Sequence, residues 1–321
     1  MRAAMFDAYG APDRLYVAPV TRPAPGPTDV LVRVAASSVN AGEVIARQGR
    51  LRLVTGNRLP QLVGIDFTGD VVAVGEGVAG VAVGDRVWGA VDERGARGAA
   101  AEYVCAPAAN VSVAPRSLSP VEAVSLLSGG STSLVALRDR IGLRQGERLL
   151  VRGGAGGVGA VGVQIGAMLG AHVTALASPA TFDFVRGLGA DEVIDYRTPP
   201  GELGRFDAVF DTRGTDLRAF RRLLTPGGRM VAIAFDLDRI ALSLGDIAFS
   251  HVHGSRRIRL FFGHPRRDLF IELARLVDQG GLRPIVDEVY PLERIGEAHA
   301  RLERGGVKGK VVVDVSSSHA D

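Results

Sequence analysis

From Arg148 the chain reads "RLLVRGGAGGVGAVGVQIGAMLGAHVTALAS", and no other stretch constrains its fold as tightly. An apolar run meets six glycines in the eleven residues 152–162, followed by apolar positions at helical spacing and a second apolar run at 172–178. Glycine loses more conformational entropy on folding than any other residue, so a cluster like this needs a backbone task to justify it. The rhythm continues downstream. "TFDFVRGLGAD" predicts a helix ended by glycine, and "EVIDYR" (192–197), "FDAVFDTRG" (206–214) and "GRMVAIAF" (228–235) predict further strands. Strands alternating with helices at this spacing form a parallel sheet covered on both faces, so the chain from about residue 122 predicts an α/β, doubly wound fold.

Within the cluster, Gly154, Gly156 and Gly159 form G-x-G-x-x-G, with Gly157 and Val158 inside it. In a chain with 42 glycines that spacing alone is weak. Its context is what counts: it follows a strand, opens a helix and is followed by a second strand, as a dinucleotide-binding turn requires. Three glycines there permit the tight turn, the approach of a pyrophosphate to the backbone and close helix–strand packing, and the helix N-terminus supplies N–H donors. Gly154, Gly156, Gly157, Val158 and Gly159 are therefore candidate cofactor-binding residues. The end of the second strand selects the cofactor. NAD-binding units place Asp or Glu there for the ribose 2′-hydroxyl. This chain has Ala175-Leu176-Ala177-Ser178 and no carboxylate before Asp183. A serine can donate to a 2′-phosphate that a carboxylate would repel, so Ser178 points to NADP(H). Tyr196 and Arg197 at the end of the third strand, and Arg186, are candidates for the remaining 2′-phosphate contact; each arginine reads equally well as a solvated surface residue.

Residues 1–121 have a different texture. "DVLVRVAASSV" (29–39), "GDVVAVGEGV" (69–78) and "GDRVWGAV" (84–91) are short β-branched runs punctuated by glycine, and the prolines of "TRPAPGPTD" (21–29) exclude a helix interior. This half predicts a small β-barrel. After an amphipathic helix at 266–282, the C-terminal "GKVVVDV" (309–315) is again strand-like and is expected to return to the barrel. The expected division is a barrel domain of residues 1–121 and 259–321 and a nucleotide-binding domain of residues 122–258.

Composition excludes several classes. A hydrophobic content of 46% with 23% charged residues is ordinary for a globular protein. A net charge of +3, with arginines spread along the chain, does not favour nucleic acid; the densest groups, Arg256, Arg257, Arg259 and Arg266, Arg267, read as solvated surface. Cys105 is the single cysteine, which excludes an intramolecular disulfide and a cysteine-based zinc cluster, and its apolar setting reads as core. No run of about 18 apolar residues marks a membrane span and no apolar leader marks a signal peptide, so a cytoplasmic protein is expected.

Five stretches together resemble the zinc-independent medium-chain dehydrogenases/reductases of the quinone oxidoreductase (zeta-crystallin-like) branch. These are "SSVNAGEVIARQG" (37–49), "GIDFTGDVVAVGEGVAGVAVGDRVWG" (64–89), "GGAGGVG" (153–159), "LGADEVIDYR" (188–197) and "GGVKGKVVVDV" (305–315). The resemblance spans essentially the whole length. It implies a GroES-like barrel joined to a Rossmann domain, an active site in the cleft, NADPH as hydride donor and a homodimer. Zinc-dependent relatives place His-Glu where this chain has Ile65-Asp66, and a cysteine near Asn40; "VDERGARGAAAEYV" also lacks the cysteines of a structural-zinc lobe. No metal is expected, because catalytic zinc needs about three N, S or O ligands.

The resemblance also implies the catalytic candidates: Asn40 as the family asparagine and Thr132 as the threonine beside the nicotinamide. Glu43 and Arg47 complete "VNxxExxxRxG", and their spacing equally fits a helical i,i+4 pair. At Ile45, relatives often carry a tyrosine, so the proton donor differs here. Three readings follow. The first is an NADPH-dependent, zinc-independent oxidoreductase acting on a small quinone or α,β-unsaturated carbonyl. The second is an enoyl reductase of a polyketide or acyl-thioester intermediate. The third is a non-catalytic NADPH-binding or sensor module.

Overall fold

The computed structural model describes residues 1–50, 52, 59–91, 98–252, 256–261 and 263–316. The chain divides into two compact units, Met1–Ser128 with His264–Asp321 and Gly129–Gly263. The junctions fall later than the expected 121/122 and 258/259. Helix Pro120–Leu134 runs through the first junction, and strand Ile258–Leu260 hydrogen-bonds into the parallel sheet, which carries the second junction past it.

In chain order, the strands of the first unit are β1 (Arg2–Phe6), β2 (Tyr16–Pro19), β3 (Asp29–Ser38), β4 (Gln61–Leu62), β5 (Asp66–Val74), β6 (Arg86–Ala90), β7 (Tyr103–Pro107) and β8 (Val111–Val113). The second unit holds β9 (Arg148–Arg152), β10 (His172–Ala177), β11 (Glu192–Asp195), β12 (Phe206–Asp211), β13 (Leu224–Ala232) and β14 (Ile258–Leu260). The chain then returns to the first unit with β15 (Val286–Pro291) and β16 (Lys310–Asp314).

The first unit is built on a sheet of order β15-β16-β3-β5-β6-β8, with β7 on β3 and a smaller sheet β2-β1-β4. In the long strand β3, Val30, Val32 and Val34 share one face and enter the core, and on the other face Leu31 is buried while Arg33 is exposed. The C-terminal strand β16 pairs antiparallel with β3, bringing the last described strand beside the N-terminal motif. Short helix α1 (Ala41–Arg47) follows β3 directly.

The second unit is a six-stranded sheet of order β11-β10-β9-β12-β13-β14, parallel at every pairing. In order of appearance that is 3-2-1-4-5-6, the doubly wound dinucleotide topology, whose direction reverses between β9 and β12. Helix α3 (Gly159–Met168) crosses from β9 to β10 and lies close on the sheet: a Cβ at Gly162 would stand 2.8 Å from the Phe210 ring, and one at Gly166 would stand 2.7 Å from Leu149. The first strand–glycine–helix–strand repeat therefore forms as its sequence predicts.

Helix α2 (Pro120–Leu134) continues into a π-helical turn, Val135–Ile141. Contrary to the sequence expectation, an 18-residue window of this 22-residue stretch reaches a mean hydropathy of 1.2, enough by length and composition to span a membrane. In the fold, 61% of that apolar window is buried, so its hydrophobicity is that of a core helix.

Candidate active site

The three glycines of the fingerprint occupy three different steric settings. Gly153, just before them, has φ +77°, a left-handed conformation that turns the chain out of β9. A Cβ at Gly154 would stand 2.9 Å from Ala175 Cβ on the neighbouring strand, and one at Gly159 would stand 2.1 Å from the Gly153 carbonyl oxygen. At Gly156 only the Gly153 oxygen is near, at 3.6 Å. The first and third glycines thus permit turn closure and packing, while the second leaves the backbone open to an approaching group. That is the division of labour a pyrophosphate cradle needs, and the residues present fit a dinucleotide. Gly157 and Val158 lead into α3, where Ala160 N donates to the Gly156 carbonyl at 2.8 Å and the N-terminal end of the helix faces the loop. Within the same unit, the end of α2 is fastened to this loop. Ser133 Oγ donates to the Val158 carbonyl at 3.0 Å, and a Cβ at Gly129 would lie 2.3 Å from the Gly157 oxygen. Thr132, next to Ser133, is half-buried.

Ser178 follows β10 and is half-buried; its carbonyl accepts from Thr181 N and Oγ1 at 2.8 and 2.9 Å. Its neighbours bring a feature the linear sequence did not reveal. β10 and β11 pair so that Asp195 lies in register with Ala177, and Tyr196 N donates to the Ala177 carbonyl at 3.0 Å. A carboxylate thus lies beside the strand end after all, contributed by the adjacent strand. Arg197 clasps it, with Nη2 2.6 Å from Oδ2 and Nε 3.1 Å from Oδ1, and these bonds hold the Asp195 carboxyl below its usual range. Arg186 is similarly paired with Asp183 at 2.9 Å. Both arginines proposed for the 2′-phosphate are therefore engaged by acids on their own segments, and Tyr196 is exposed.

In the barrel unit, Asn40 precedes α1 but its side chain does not cap it. Instead it centres a buried polar cluster. Asn40 Nδ2 donates to Glu43 Oε1 at 2.8 Å and to Asp66 Oδ1 at 2.9 Å. Its Oδ1 accepts from Ser128 Oγ at 2.9 Å and from Lys310 Nζ. A carboxamide has two N–H donors and two acceptor lone pairs, so these four bonds saturate it. Both N–H groups and both acceptor lone pairs of Asn40 are thus engaged by other side chains of the same unit. Lys310 Nζ also lies 3.0 Å from Ser128 Oγ, and Ser38 Oγ donates to Asp66 Oδ1 at 2.8 Å. Asp66, Glu43 and Lys310 are all buried, and Asp66 Oδ2 has no hydrogen-bond partner among the described residues. Burial, and then the nearby Asp66 carboxylate, push the Glu43 carboxyl up to about 8, against the opposing pull of Asn40, Lys310 and the Gly64 N–H.

Glu43 and Arg47 are not the i,i+4 pair their spacing allows. Glu43 Oε2 accepts from Gly64 N at 3.1 Å, whereas Arg47 is fully buried and donates to the Gly10 carbonyl and to Glu303. The two point apart because each is used by a different long-range contact. Sequence reasoning passed over Lys310, Ser128 and Asp66 as site residues. The signal available was a lysine inside the valine-rich "GKVVVDV" and an aspartate inside the apolar "GIDFTG". Four of the five arginines at 256–267 are also committed locally, and Arg257 is exposed. Arg256 donates to the Thr225 carbonyl, Arg259 to that of Arg140, Arg266 pairs with Asp268, and Arg267 donates to the carbonyls of Ala79 and Gly80. Cys105 is buried in β7, as a core residue would be.

Where zinc-dependent relatives place ligands, this chain has Asn40 and Ile65-Asp66, with the Lys310 ammonium bonded to the Asn40 oxygen. An amide already saturated, one carboxylate and a cation do not make a zinc donor set, and among the described residues no three His, Cys, Asp or Glu side chains converge.

Two family models match: the alcohol dehydrogenase GroES-like domain over residues 26–116 and the zinc-binding dehydrogenase domain over residues 188–313. The human mitochondrial NAD(P)H oxidoreductase RTN4IP1 is 30% identical over 332 aligned residues, covering 90% of this chain and 82% of that protein. The trans-enoyl reductase pgmF of Aspergillus terreus is 32% identical, covering 92% of this chain and 89% of the other. The quinone oxidoreductase of Coxiella burnetii superposes with a TM-score of 0.87 at 28% identity, covering 98% and 99% of the two chains. With a GroES-like domain, a 3-2-1-4-5-6 dinucleotide sheet and these relatives, the chain belongs to the medium-chain dehydrogenase/reductase family, among its quinone oxidoreductase-like members.

Proposed function

We propose that this oxidoreductase uses NADPH to reduce a quinone or an α,β-unsaturated carbonyl without a metal. The observation that carries the reading is the glycine cradle after β9 together with Ser178, an uncharged donor, directly after β10. When bound, the cofactor supplies a hydride from its nicotinamide ring. The chain's own residues would bind and orient it: the loop Gly154–Gly159 and the start of α3 would hold the diphosphate, Ser178 would donate to the 2′-phosphate, and Thr132 would serve the nicotinamide end. Asn40 acts as a positioning residue, holding Lys310 and Asp66 in fixed places through its saturated amide. With reactants held in place, most of the rate enhancement comes from orientation and from a preorganised polar environment. The saturated Asn40–Lys310–Asp66 arrangement supports chemistry without zinc.

The test is NADPH oxidation against a panel of quinones, enones and enoyl thioesters, with NADH in parallel. A preference for NADPH of about tenfold or more is expected; one such factor is about 1.4 kcal/mol of differential binding. A tenfold preference for NADH overturns the role given to Ser178, and turnover that requires added zinc overturns the metal-free reading. The similarity to a trans-enoyl reductase supports a second reading, reduction of a carrier-bound enoyl thioester. Faster turnover of the thioester than of free enones selects it.

A further inference from the structure

Arg213 stands out among the arginines around the glycine turn. It follows β12, whose C-terminal end lies beside that of β9 at the point where the order of the sheet reverses. Ligands of open α/β sheets bind in the crevice at such a reversal. Its stem lies along the glycine turn: Arg213 Cδ and Cγ are 3.4 and 3.7 Å from the place a Cβ on Gly153 would take. Its main chain is held rigidly. Arg213 N and Gly214 N donate to Asp211 Oδ1 at 2.7 and 2.9 Å, Asp211 is wholly buried, and its other oxygen accepts from Arg152. Thr212 Oγ1 completes the brace by donating to the Arg152 carbonyl at 2.6 Å. The guanidinium, by contrast, is exposed and makes no ion pair or hydrogen bond with any described residue. Arg152, Arg186 and Arg197 are each bonded to a carboxylate.

We propose that Arg213 is a phosphate-binding residue, and that the phosphate it takes is the diphosphate bridge shared by NADPH and NADH. The inference rests on the dinucleotide reading above and adds a side chain to its diphosphate subsite. Sheet order decides between the two phosphate sources. Ser178 follows β10 and Arg213 follows β12, on opposite sides of β9, so their strands are two spacings or about 10 Å apart. The 2′-phosphate belongs to the Ser178 side, and the diphosphate lies over the turn after β9 itself, against which the Arg213 stem packs. A guanidinium on a braced loop offers paired donors to phosphate oxygens with little ordering cost on binding.

The experiment measures dissociation constants by cofactor fluorescence, for NADPH and NADH, with adenosine 2′-monophosphate as a competitor that carries the 2′-phosphate but no 5′-phosphate. Wild type, Arg213→Gln and Arg213→Lys are compared at several ionic strengths. Charge-assisted hydrogen bonds of this kind predict that Arg213→Gln weakens NADPH and NADH alike by about tenfold, with a shallower salt dependence. Arg213→Lys recovers part of the loss, and the affinity for adenosine 2′-monophosphate stays within about twofold. A loss confined to NADPH and adenosine 2′-monophosphate overturns the assignment in favour of the 2′-phosphate. Unchanged binding of both dinucleotides by Arg213→Gln overturns it outright, with the cofactor reading intact. A wild-type protein that binds neither dinucleotide overturns the cofactor reading and this assignment together.

Discussion

Replacing Glu43 with glutamine changes how the stability of the barrel unit depends on pH, and the structure supplies the sign and the scale. Glu43 is buried, its two oxygens accept from Asn40 Nδ2 and Gly64 N, and Asp66 lies nearby; together burial and that carboxylate raise it from an ordinary 4.5 to about 8. A carboxyl whose folded value lies above its unfolded one binds its proton more tightly when folded. Its contribution is therefore fully present below pH 4.5 and is lost as pH rises through about 8. At ~1.36 kcal/mol per pH unit, that interval sets an upper bound of about 5 kcal/mol. Local relaxation and water entry reduce it, and about 2–3 kcal/mol is a reasonable working figure. Glutamine does not titrate, but it offers one acceptor where two donors point, a cost of about 1–3 kcal/mol at every pH. Glu43→Gln is thus expected to be less stable than wild type at pH 5, with the gap closing steadily towards pH 9. The single tryptophan, Trp88, is buried in β6 with Nε1 2.9 Å from Ser112 Oγ, so its fluorescence reports unfolding of this unit alone. A melting-temperature difference that moves by about 5 °C or more between pH 5 and 9 is the expected result, given roughly 2–4 °C per kcal/mol for a unit of this size. Two parallel curves, offset by the same amount at every pH, would exclude a raised Glu43 carboxyl in the folded protein.

Other perturbations test other parts of the structure. His299 is wholly buried with neither ring nitrogen bonded among the described residues, and burial, followed by the Arg47 charge, holds it down to about 3. Its stabilising contribution is present above pH 6.5 and lost as pH falls towards 3, so His299→Leu should flatten the acid limb of the Trp88 unfolding curve; an unchanged limb would refute this. Gly159→Ala sets a Cβ 2.1 Å from the Gly153 oxygen, whereas at Gly156 the same oxygen is 3.6 Å away. Gly159→Ala is expected to distort the turn in the free protein, and Gly156→Ala to keep the fold while losing dinucleotide affinity. Equal melting temperatures for the two variants would count against the steric argument. Arg152→Met leaves the buried Asp211 carboxylate without its cation and should cost about 3–5 kcal/mol, most of it restored by adding Asp211→Asn. Additive losses in the double variant would show that the pair is not coupled.

Much of the nucleotide-binding unit was legible because its determinants are local. Strand β9, the glycine turn and helix α3 follow one another in sequence, so the spacing of Gly154, Gly156 and Gly159 already implies three steric roles. The barrel's strands were legible from alternation, as in Val30, Arg33 and Val34, but their partners were not. Nothing in "GKVVVDV" says that Lys310 will reach Asn40, 270 positions away, because that contact depends on β16 pairing with β3. The i,i+4 spacing of Glu43 and Arg47 misled for the same reason. Two side chains one helical turn apart can pair, but a buried backbone N–H at Gly64 and the carboxylate of Glu303 hold them more strongly.

The cofactor end of the site shows the same division. The absence of an acid at Ser178 can be read directly from the strand. The carboxylate of Asp195 beside it, and the clasp that Asp195 places on Arg197, come from the register between β10 and β11. Arg213 lies 60 residues beyond the first glycine of the turn and meets it only because β12 pairs with β9. Patterns along the chain settle which residues face the core and where the backbone must turn, since these are near-neighbour sterics and periodic burial. Charge neighbourhoods depend on which strands lie side by side, and that is settled when the hydrophobic faces of distant segments find their lowest-energy packing.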